Sequence, residues 1–431
     1  MKNYNENKNV YEAANERIEF IFNNFERKYM SFSGGKDSGV MLNLVLDYMR
    51  KNNITEKIGI MILDNEANYE YSLEFMYKIM DENLDLLDVY WCCLPITLPC
   101  TVSSYEIDWQ CWGVNDKSRW IRPMPEKKYI VNIDNHKFDF FIENMSYDEF
   151  WDKFGEWYAG DKSCANFIGI RTDESLNRYR AIMNKNKKMI NNLHRTKKNG
   201  NNVYNVYPIY DWRTEDVWIA NEKFNWLYNE LYDIFWKAGL TIAQMRVASP
   251  FMSESKSSLN LYRIIDGHVW SRLCARVSGA NFIATYGKQL TYKSFSLPEG
   301  HTWKSFCKFL LETLPKESAE NFKLRFIQSL KYWWRIGRGL EDSIINDLRK
   351  NNINFKLGEK TKHGRKDKTC VRMLPPDHLD MLKCHNSDVT SWKRFVITIL
   401  KNDHTCKYLG LAPTHGQAKR QREIQNKYKN I

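Results

Sequence analysis

One short polar stretch, Ser33-Gly34-Gly35-Lys36-Asp37-Ser38, limits what this chain can fold into more than any other feature. Residues 29–32 before it predict a short strand, and apolar residues at helical spacing after it predict a helix from about Ser38. A glycine turn at this point lets the backbone approach an anion, and the helix N-terminus favours negative charge. The stretch therefore predicts a phosphate-binding loop, in which Lys36 adds a cation and the serines add hydroxyl donors.

The loop does not have the Walker A spacing, because Gly35-Lys36 is followed by Asp37 and no glycine stands at the required position upstream. It resembles the PP-loop of the N-type ATP pyrophosphatases, a superfamily that includes the ATP sulfurylase small subunit, the phosphoadenosine phosphosulfate (PAPS) reductases and thiolation enzymes acting on nucleic acids. The resemblance implies an adenine-nucleotide site that contains Ser33, Gly34, Gly35, Lys36, Asp37 and Ser38. Asp37 stands where it could help to hold a magnesium ion or could anchor the loop.

Strand and helix signals alternate around this loop. Residues 58–63 form a continuous apolar run, typical of a buried parallel strand, and lead into Asp64-Asn65-Glu66. A helix is predicted over 69–80 and a third strand over 86–96. This order predicts an α/β fold with a doubly wound, mostly parallel sheet, on which ligands bind beyond the carboxyl ends of the strands. Ser33–Ser38 and Asp64–Glu66 both occupy such ends.

The rest of the chain divides into three predicted parts. Residues 1–225 form the nucleotide-binding domain, with an insertion at about 97–145 over the site. Residues 226–350 form a mainly helical extension, and residues 351–431 form a basic C-terminal segment. Within these parts the patterns predict further elements: helices over 10–27 and 147–158, strands over 165–170 and 203–209, helices capped by Thr172 or Asp173 and by Thr214, a loop or linker over 351–369, and a frayed tail over 417–431.

Three further stretches resemble the PAPS reductase family. Gly169–Arg178, GIRTDESLNR, is similar to its G-x-R-x-x-E-S-x-x-R segment. Tyr207–Trp218, YPIYDWRTEDVW, is similar to its P-L-x-D-W-x-x-x-D-V-W segment, and Asp64–Glu66 stands at the place of its second-strand acidic motif. The resemblance covers about residues 28–220 in the family's order. The region beyond looks like a C-terminal extension of one PAPS-reductase-like subgroup.

The resemblance suggests roles for several charged residues. Arg171 and Arg178 are expected to bind phosphate or sulfate, since guanidinium groups hold such anions bidentately; the alternative is a surface cation or a salt bridge to Glu174. Asp64 and Glu66 are expected to bind ribose hydroxyls or magnesium, or else to be a polar strand end. Two more acidic residues are expected to cap and pin the following helix: Asp211 and Asp216.

The cysteines help to distinguish a reductase from an adenylating or sulfur-transfer enzyme. PAPS reductases resemble one another in a Glu-Cys-Gly nucleophile segment, and this chain has no Glu-Cys dipeptide. Cys92-Cys93 falls within a predicted strand and no CxxC follows, so no iron–sulfur cluster is expected. Cys164 remains as a thiol of suitable position, although a lone cysteine there is more often a core residue. We therefore expect adenylation or sulfur transfer with Mg²⁺ and ATP or PAPS, with sulfate or a nucleic-acid base oxygen as acceptor; a thioredoxin-type reductase is an alternative.

The net charge of +12 lies almost wholly in the C-terminal part: residues 351–431 hold 17 Lys and Arg against 7 Asp and Glu. This surplus favours a nucleic-acid partner or is a solvated basic surface, so a nucleic-acid-binding protein with a nucleotide sensor site is a second alternative; a protein partner stays open. No apolar run approaches the ~18 residues of a membrane span, and no secretory h-region is seen, so a cytoplasmic protein is expected. Zinc is not expected from the irregular spacing of the C-terminal candidates: Cys370, His378, Cys384, His385, His404 and Cys406.

Overall fold

The computed structural model describes residues 8–183, 196–200, 202–242, 244–256, 258–286, 296–360, 368–382 and 389–411. Two compact units make up the chain. The first comprises Met1–Leu98, Gln110–Pro250 and Ser257–Arg276. The second comprises Pro99–Trp109, Phe251–Lys256 and Val277–Ile431. No described helix combines the length and the apolar character that crossing a membrane requires.

A seven-stranded sheet forms the centre of the first unit, and its central strand precedes the glycine loop. The strands up to residue 206 are β1 Arg27–Ser31, β2 Ile58–Leu63, β3 Leu87–Cys92, β4 Thr97–Pro99, β5 Asp108–Gln110, β6 Ile130–Val131, β7 Cys164–Phe167, β8 Thr196–Lys198 and β9 Val203–Val206. The sheet order is β6-β3-β2-β1-β7-β9-β8, and only β8 runs antiparallel to its neighbour. The predicted α/β, mostly parallel sheet is confirmed.

Nine helices of the first unit flank or follow this sheet among the described residues: α1 Val10–Asn24, α2 Lys36–Lys51, α3 Glu70–Asp81, α4 Tyr147–Ala159, α5 Leu176–Met183, α6 Thr214–Lys223, α7 Leu231–Lys237, α8 Tyr262–Ile265 and α9 Gly267–Arg276. α2 is buried over most of its length, with a continuous buried stretch from Asp37 to Leu46. Its N-terminus follows β1 directly, as a parallel α/β sheet requires.

Several predicted helix starts are wrong by a few residues. α2 begins at Lys36, two residues before the predicted start. α5 begins only at Leu176, so Thr172 and Asp173 lie in the preceding turn and do not cap it. Thr214 is the first residue of α6 and does not cap it either.

Asp216 and Asp211 both make structural contacts, of different kinds. Asp216 caps α6, because its carboxylate accepts the Arg213 N–H at 2.6 Å. Asp211 pairs instead with Arg17 of α1, at 2.7 and 2.8 Å. The predicted role of Asp211 in capping the next helix is therefore wrong: Asp211 forms an ion pair that joins α1 to the turn before α6.

The predicted insertion at 97–145 is partly integrated into the main sheet. It contains β4, β5, a 3₁₀ helix over Val114–Arg119 and β6. β6 pairs in parallel with β3, placing Ile130 opposite Trp91. Part of the insertion is therefore an edge strand of the sheet.

The second unit contains helices and a small sheet. Its helices are α10 Ala280–Tyr286, α11 Trp303–Thr313, α12 Lys316–Lys331, α13 Asp342–Lys350 and α14 Trp392–Leu400, and its strands are β10 Arg338–Leu340, β11 Lys356–Lys360 and β12 Thr369–Arg372. β12 lies between β10 and β11 and is antiparallel to both. The predicted loop over 351–369 is therefore wrong, because β11 lies within it. The predicted frayed tail at 417–431 lies outside the described residues.

Candidate functional site

The glycine loop between β1 and α2 is closed by its own serines. Gly34 has φ = 69°, and a Cβ there would lie 2.6 Å from the sulfur of Met76, so only glycine fits without displacement. Ser33 Oγ and Ser38 Oγ are 3.0 Å apart, and Ser38 Oγ donates to the Gly35 carbonyl at 2.9 Å. Gly35 has no side chain to cap α2, and the N–H of the first helical residue, Lys36, donates to the Tyr232 hydroxyl at 3.1 Å. The loop thus has the form of an anion-binding turn at a helix N-terminus.

Three charged side chains meet at the start of α2. Asp37 Oδ2 lies 3.1 Å from Lys36 Nζ, and Asp37 Oδ1 accepts the Arg171 Nε–H at 2.6 Å. Burial alone would raise the pKa of Asp37, but the positive charges of Lys36 and Arg171 and their hydrogen bonds hold it below its usual value. The carboxylate is therefore ionised and the trio carries a net charge of +1, which suits an anionic ligand.

Arg171 is held in place by a second set of contacts. Its side chain is buried, and its guanidinium also donates to the Thr214 hydroxyl at 3.1 Å and to the Trp212 carbonyl at 3.4 Å. Gly169, two residues earlier, packs against the loop itself: a Cβ there would lie 2.7 Å from the Asp37 carbonyl oxygen. The stretches around 33–38, 169–171 and 212–214 therefore form one contact region.

Arg178 lies in a different environment from Arg171. It forms an ion pair with Glu174 one helical turn earlier, and its side chain is 42% exposed. Glu174 also accepts the Arg171 backbone N–H at 3.2 Å. The arrangement matches the salt-bridge alternative for Arg178, and its expected contact with phosphate stays a prediction.

Asp64 follows β2 but points into the interior. The residue is fully buried; one carboxylate oxygen accepts the Trp91 indole N–H at 2.7 Å and also pairs with Arg122. The other oxygen accepts the Glu66 backbone N–H at 2.8 Å. Both oxygens of Asp64 therefore already have partners from the chain.

Glu66 is equally buried and holds the segment that follows β5. Its carboxylate accepts the backbone N–H groups of Trp112 and Ile121 at 2.6 and 2.8 Å, and Arg276 lies 3.8 Å away. Burial is the main cause that raises the pKa of Glu66. In this structure both carboxylates are buried and bonded to the chain, which matches the structural alternative. Their expected binding of ribose or magnesium stays a prediction.

Two residues at this site carry no sequence signal. Asn229 Nδ2 donates to the Gly34 carbonyl and to Ser72 Oγ, both at 2.9 Å. Tyr232, in α7, accepts the Lys36 backbone N–H on its hydroxyl at 3.1 Å, and its ring centroid lies 5.5 Å from Lys36 Nζ. They stand about 195 positions after the loop, in a stretch without a recognisable motif. The glycine loop is thus bonded to the segment around residues 229–232, which the sequence patterns did not connect with it.

The fully buried cysteine thiols of the first unit are expected to be poor nucleophiles. Burial raises the pKa of Cys164 to about 12, against smaller opposing effects of Arg27 and Lys28. Burial likewise raises the thiol pKa values of Cys92, Cys93 and Cys111. Since the thiolate is the reactive form, these groups are inert at neutral pH.

The described residues contain no group of three or more His, Cys, Asp or Glu side chains that could hold a metal ion. Among the zinc candidates, His404 is buried and its Nε2 lies 3.0 Å from the Ser103 carbonyl oxygen. Cys384 and His385 lie outside the described residues.

Comparison with known proteins gives matches over most of the chain. Residues 27–237 match the family model described as the phosphoadenosine phosphosulfate reductase domain. Residues 239–420 match a domain of unknown function, DUF3440. The uncharacterized protein YbdN of Escherichia coli (strain K12) is 29% identical over 413 residues, which is 94% of this chain and 91% of that protein.

The solved structures that match are more distant. FMN adenylyltransferase of Candida glabrata, in complex with FMN and an ATP analogue, is 16% identical at a TM-score of 0.32 and covers 52% of this chain. This match spans 59% of that enzyme's chain, less than two thirds of it. PAPS reductase of Candida auris, in its phosphate complex, is 13% identical at a TM-score of 0.27, covering 55% of this chain and 87% of that chain.

Proposed function

Because residues 27–237 belong to the phosphoadenosine phosphosulfate reductase domain family, we propose that this protein is a PP-loop enzyme that binds ATP and catalyses adenylyl transfer. The observation that carries the proposal is the contact region around Lys36, Asp37 and Arg171. It combines a glycine turn, a helix N-terminus and a net positive charge. These features favour a leaving pyrophosphate more than a neutral ligand.

In the proposed reaction a nucleophilic oxygen of the acceptor attacks the α-phosphorus of ATP. A new bond forms between this oxygen and the phosphorus, the bond to the oxygen bridging the α- and β-phosphates breaks, and pyrophosphate takes the electron pair. Lys36 and the N–H groups at the start of α2 stabilise the charge that develops on the leaving group. Arg171 acts through Asp37 as a positioning residue, because it fixes the carboxylate that pairs with Lys36.

We assign magnesium to the substrate and not to a site built by the protein alone. Both oxygens of Asp37 already accept from cationic groups, so this carboxylate alone offers little to a divalent cation. Mg²⁺ in nucleotide sites is usually bound by one or two carboxylates together with substrate phosphates. We propose Mg–ATP as the species that binds, with the metal neutralising phosphate charge.

The inert thiols support adenylyl transfer over a thioredoxin-type reductase. A reductase needs a thiolate to attack sulfur, and burial raises the pKa of Cys164 to about 12. The structure leaves sulfate and a nucleic-acid base oxygen as open acceptor classes.

The test is magnesium-dependent pyrophosphate release from ATP, measured with and without sulfate and nucleic acid. Lys36→Ala should lower the release rate by roughly 100-fold or more, as expected for loss of a charge at the transition state. Asp37→Asn keeps the side-chain shape and should also lower it. Lys51→Ala, at the exposed opposite end of α2, is the matched control and should leave the rate unchanged.

Unchanged release in Lys36→Ala would refute the proposal. If no acceptor supports pyrophosphate release from ATP and calorimetry shows tight binding of PAPS, a PAPS reductase becomes the favoured function. The additive that release requires would identify the acceptor class.

A further inference from the structure

The small sheet of the second unit has one face on a core and one face exposed. Its β10 and β12 contribute Leu340 and Val371 to an apolar cluster that also contains Trp333 and three residues of α13. This cluster packs against one face of the small sheet and against the turn that precedes β10. Side chains on the other face of the sheet therefore project from a backbone that the core holds in place.

A tryptophan is exposed beside this sheet. The π-helical turn Tyr332–Ile336 buries Trp333, which is 5% exposed, and directs Trp334 outward, where it is 51% exposed. Ile336 and Leu374 are also exposed. The exposed indole can stack against a ligand, and the charges around it decide which ligand fits.

One cation lies near this ring, and a second is its cross-strand neighbour. Lys356 Nζ lies 5.7 Å from the Trp334 ring centroid, and Lys356 pairs in register with Arg372 of the neighbouring strand. Cross-strand partners lie on the same face, so two like charges are adjacent there, which destabilises a sheet. A polyanion bound across the pair would remove this cost.

The segments that surround Trp334, Lys356 and Arg372 also carry a net positive charge. Residues 331–360 and 368–374 contain nine Lys and Arg against four Asp and Glu. An aromatic platform flanked by cations is the arrangement that proteins use for single-stranded nucleic acid, because unpaired bases stack on the ring and cations follow the phosphates. Duplex bases are stacked on one another and do not offer a free face to the indole.

We propose that the surface formed by Trp334, Lys356 and Arg372 binds single-stranded nucleic acid, with one base stacked on Trp334 and phosphates held by the two cations. This surface, hereafter the Trp334 surface, is assigned independently of the chemistry at residues 33–38. Its failure would leave the proposed adenylyl transfer untouched.

The test uses the full chain and fluorescence anisotropy with labelled oligonucleotides of roughly 16 nucleotides, the upper end of single-module site sizes. Oligo(dT) and oligo(U) distinguish DNA from RNA, a duplex of the same length tests the need for unpaired bases, and heparin supplies a polyanion without bases. Wild-type protein should bind a single strand more tightly than the duplex, and its affinity should fall with added salt.

Trp334→Ala should weaken single-strand binding by roughly 5- to 100-fold, the range for loss of one base–aromatic stack. Trp334→Phe keeps a ring and should retain most of the affinity. Trp236→Ala removes another exposed tryptophan, 68% exposed in α7, and should change nothing. Lys356→Ala and Arg372→Ala should each reduce the slope of log K against log salt by about 0.7, the value for one phosphate contact on a single strand.

Three results would overturn the proposal: no salt-dependent binding of either single strand, equal affinities for wild type and Trp334→Ala, or binding of duplex or heparin as tight as that of the single strand. Circular dichroism of each variant separates loss of binding from loss of fold. The cation variants test the surface even where Trp334→Ala is poorly folded.

Discussion

The Nε of Arg171 lies 2.6 Å from Oδ1 of Asp37, although the two residues are 134 positions apart. The bond joins the segment after β7 to the first turn of α2, and Arg171 also donates to the hydroxyl of Thr214, the first residue of α6. One buried arginine therefore connects three of the four stretches that resemble the PAPS reductase family. The pair fixes the carboxylate beside Lys36 without making either residue available on the surface.

The two arginines of the GIRTDESLNR stretch should differ strongly in their effect on stability. Arg171→Met leaves the buried Asp37 carboxylate with Lys36 as its remaining cationic partner. We expect a loss of roughly 3 kcal/mol in the free energy of unfolding, the lower end of the range for breaking a buried ion pair. Arg178→Met removes a pair that is 42% exposed, and we expect less than about 1 kcal/mol. Urea titration of both variants measures the difference. Equal losses would contradict the assignment of Arg171 as the buried anchor.

Removing the Tyr232 hydroxyl should strengthen pyrophosphate binding. This hydroxyl accepts the Lys36 N–H at 3.1 Å, a group that the proposed function assigns to the leaving pyrophosphate. In Tyr232→Phe the N–H no longer has to exchange partners, so the dissociation constant of pyrophosphate should fall by roughly 2- to 10-fold, the worth of one net hydrogen bond. Titration calorimetry with inorganic pyrophosphate measures this change.

Tyr228→Phe is the control for this substitution, because the Tyr228 hydroxyl contacts Asp233 at 2.7 Å and makes no recorded bond to the loop. It should leave the affinity unchanged. Weaker pyrophosphate binding in Tyr232→Phe would show that the hydroxyl belongs to the ligand contacts and does not compete with them. Absence of binding in wild type would instead count against the proposed function.

Local patterns predicted the central elements because they rest on neighbouring residues. The apolar strand, the glycine turn and the helical spacing after Lys36 are each contained in a few positions, so β1, the loop and α2 were predictable. The contacts of Asn229 and Tyr232 with the loop were not, since their partners lie about 195 positions away. Sequence spacing carries no information on such long-range contacts without a motif.

The burial of Asp64 and the strand β11 could not be predicted from the sequence, for different physical reasons. Asp64 follows a strand as expected, but its burial depends on Arg122, which lies 58 positions later in a stretch without periodicity. β11 is an edge strand with the sequence KLGEK, in which charged residues replace the apolar alternation that predicts strands. Edge strands carry such charges because one side pairs with no neighbour, so their pattern resembles that of a loop.

The buried thiol of Cys164 should resist alkylation in the native protein. Because burial raises its pKa to about 12, iodoacetamide at neutral pH should label the partly exposed Cys274 and Cys370 first. Peptide mass spectrometry before and after addition of urea measures the order of labelling. Cys164→Ala should also retain pyrophosphate release, and rapid native labelling of Cys164 with loss of that activity would revive the reductase alternative.

Lys256 of the second unit should make stability depend on alkaline pH. Burial lowers the pKa of its ammonium group to about 8, and Nζ donates to the Lys401 carbonyl at 2.7 Å. The ordinary lysine value is about 10.4, so between these two pH values the unfolded chain binds more protons than the folded one. The contribution of Lys256 to the free energy of unfolding therefore rises with pH across this window, and is lowest below pH 8.

Replacing Lys256 with methionine removes this dependence. We compare the free energies of unfolding of Lys256→Met and wild type at each pH. The variant's advantage over wild type should be largest at pH 7 and should become smaller toward pH 10. The hydrogen bond lost in the variant lowers its free energy of unfolding by the same amount at every pH. Lys331→Met, at an exposed position of α12, should show no such trend. Urea unfolding at pH 7, 8.5 and 10 provides the comparison. If the difference in free energy of unfolding between variant and wild type is constant with pH, Lys256 is solvated in the folded state. Only burial of the ammonium group lowers its pKa on folding and so produces a pH-dependent difference.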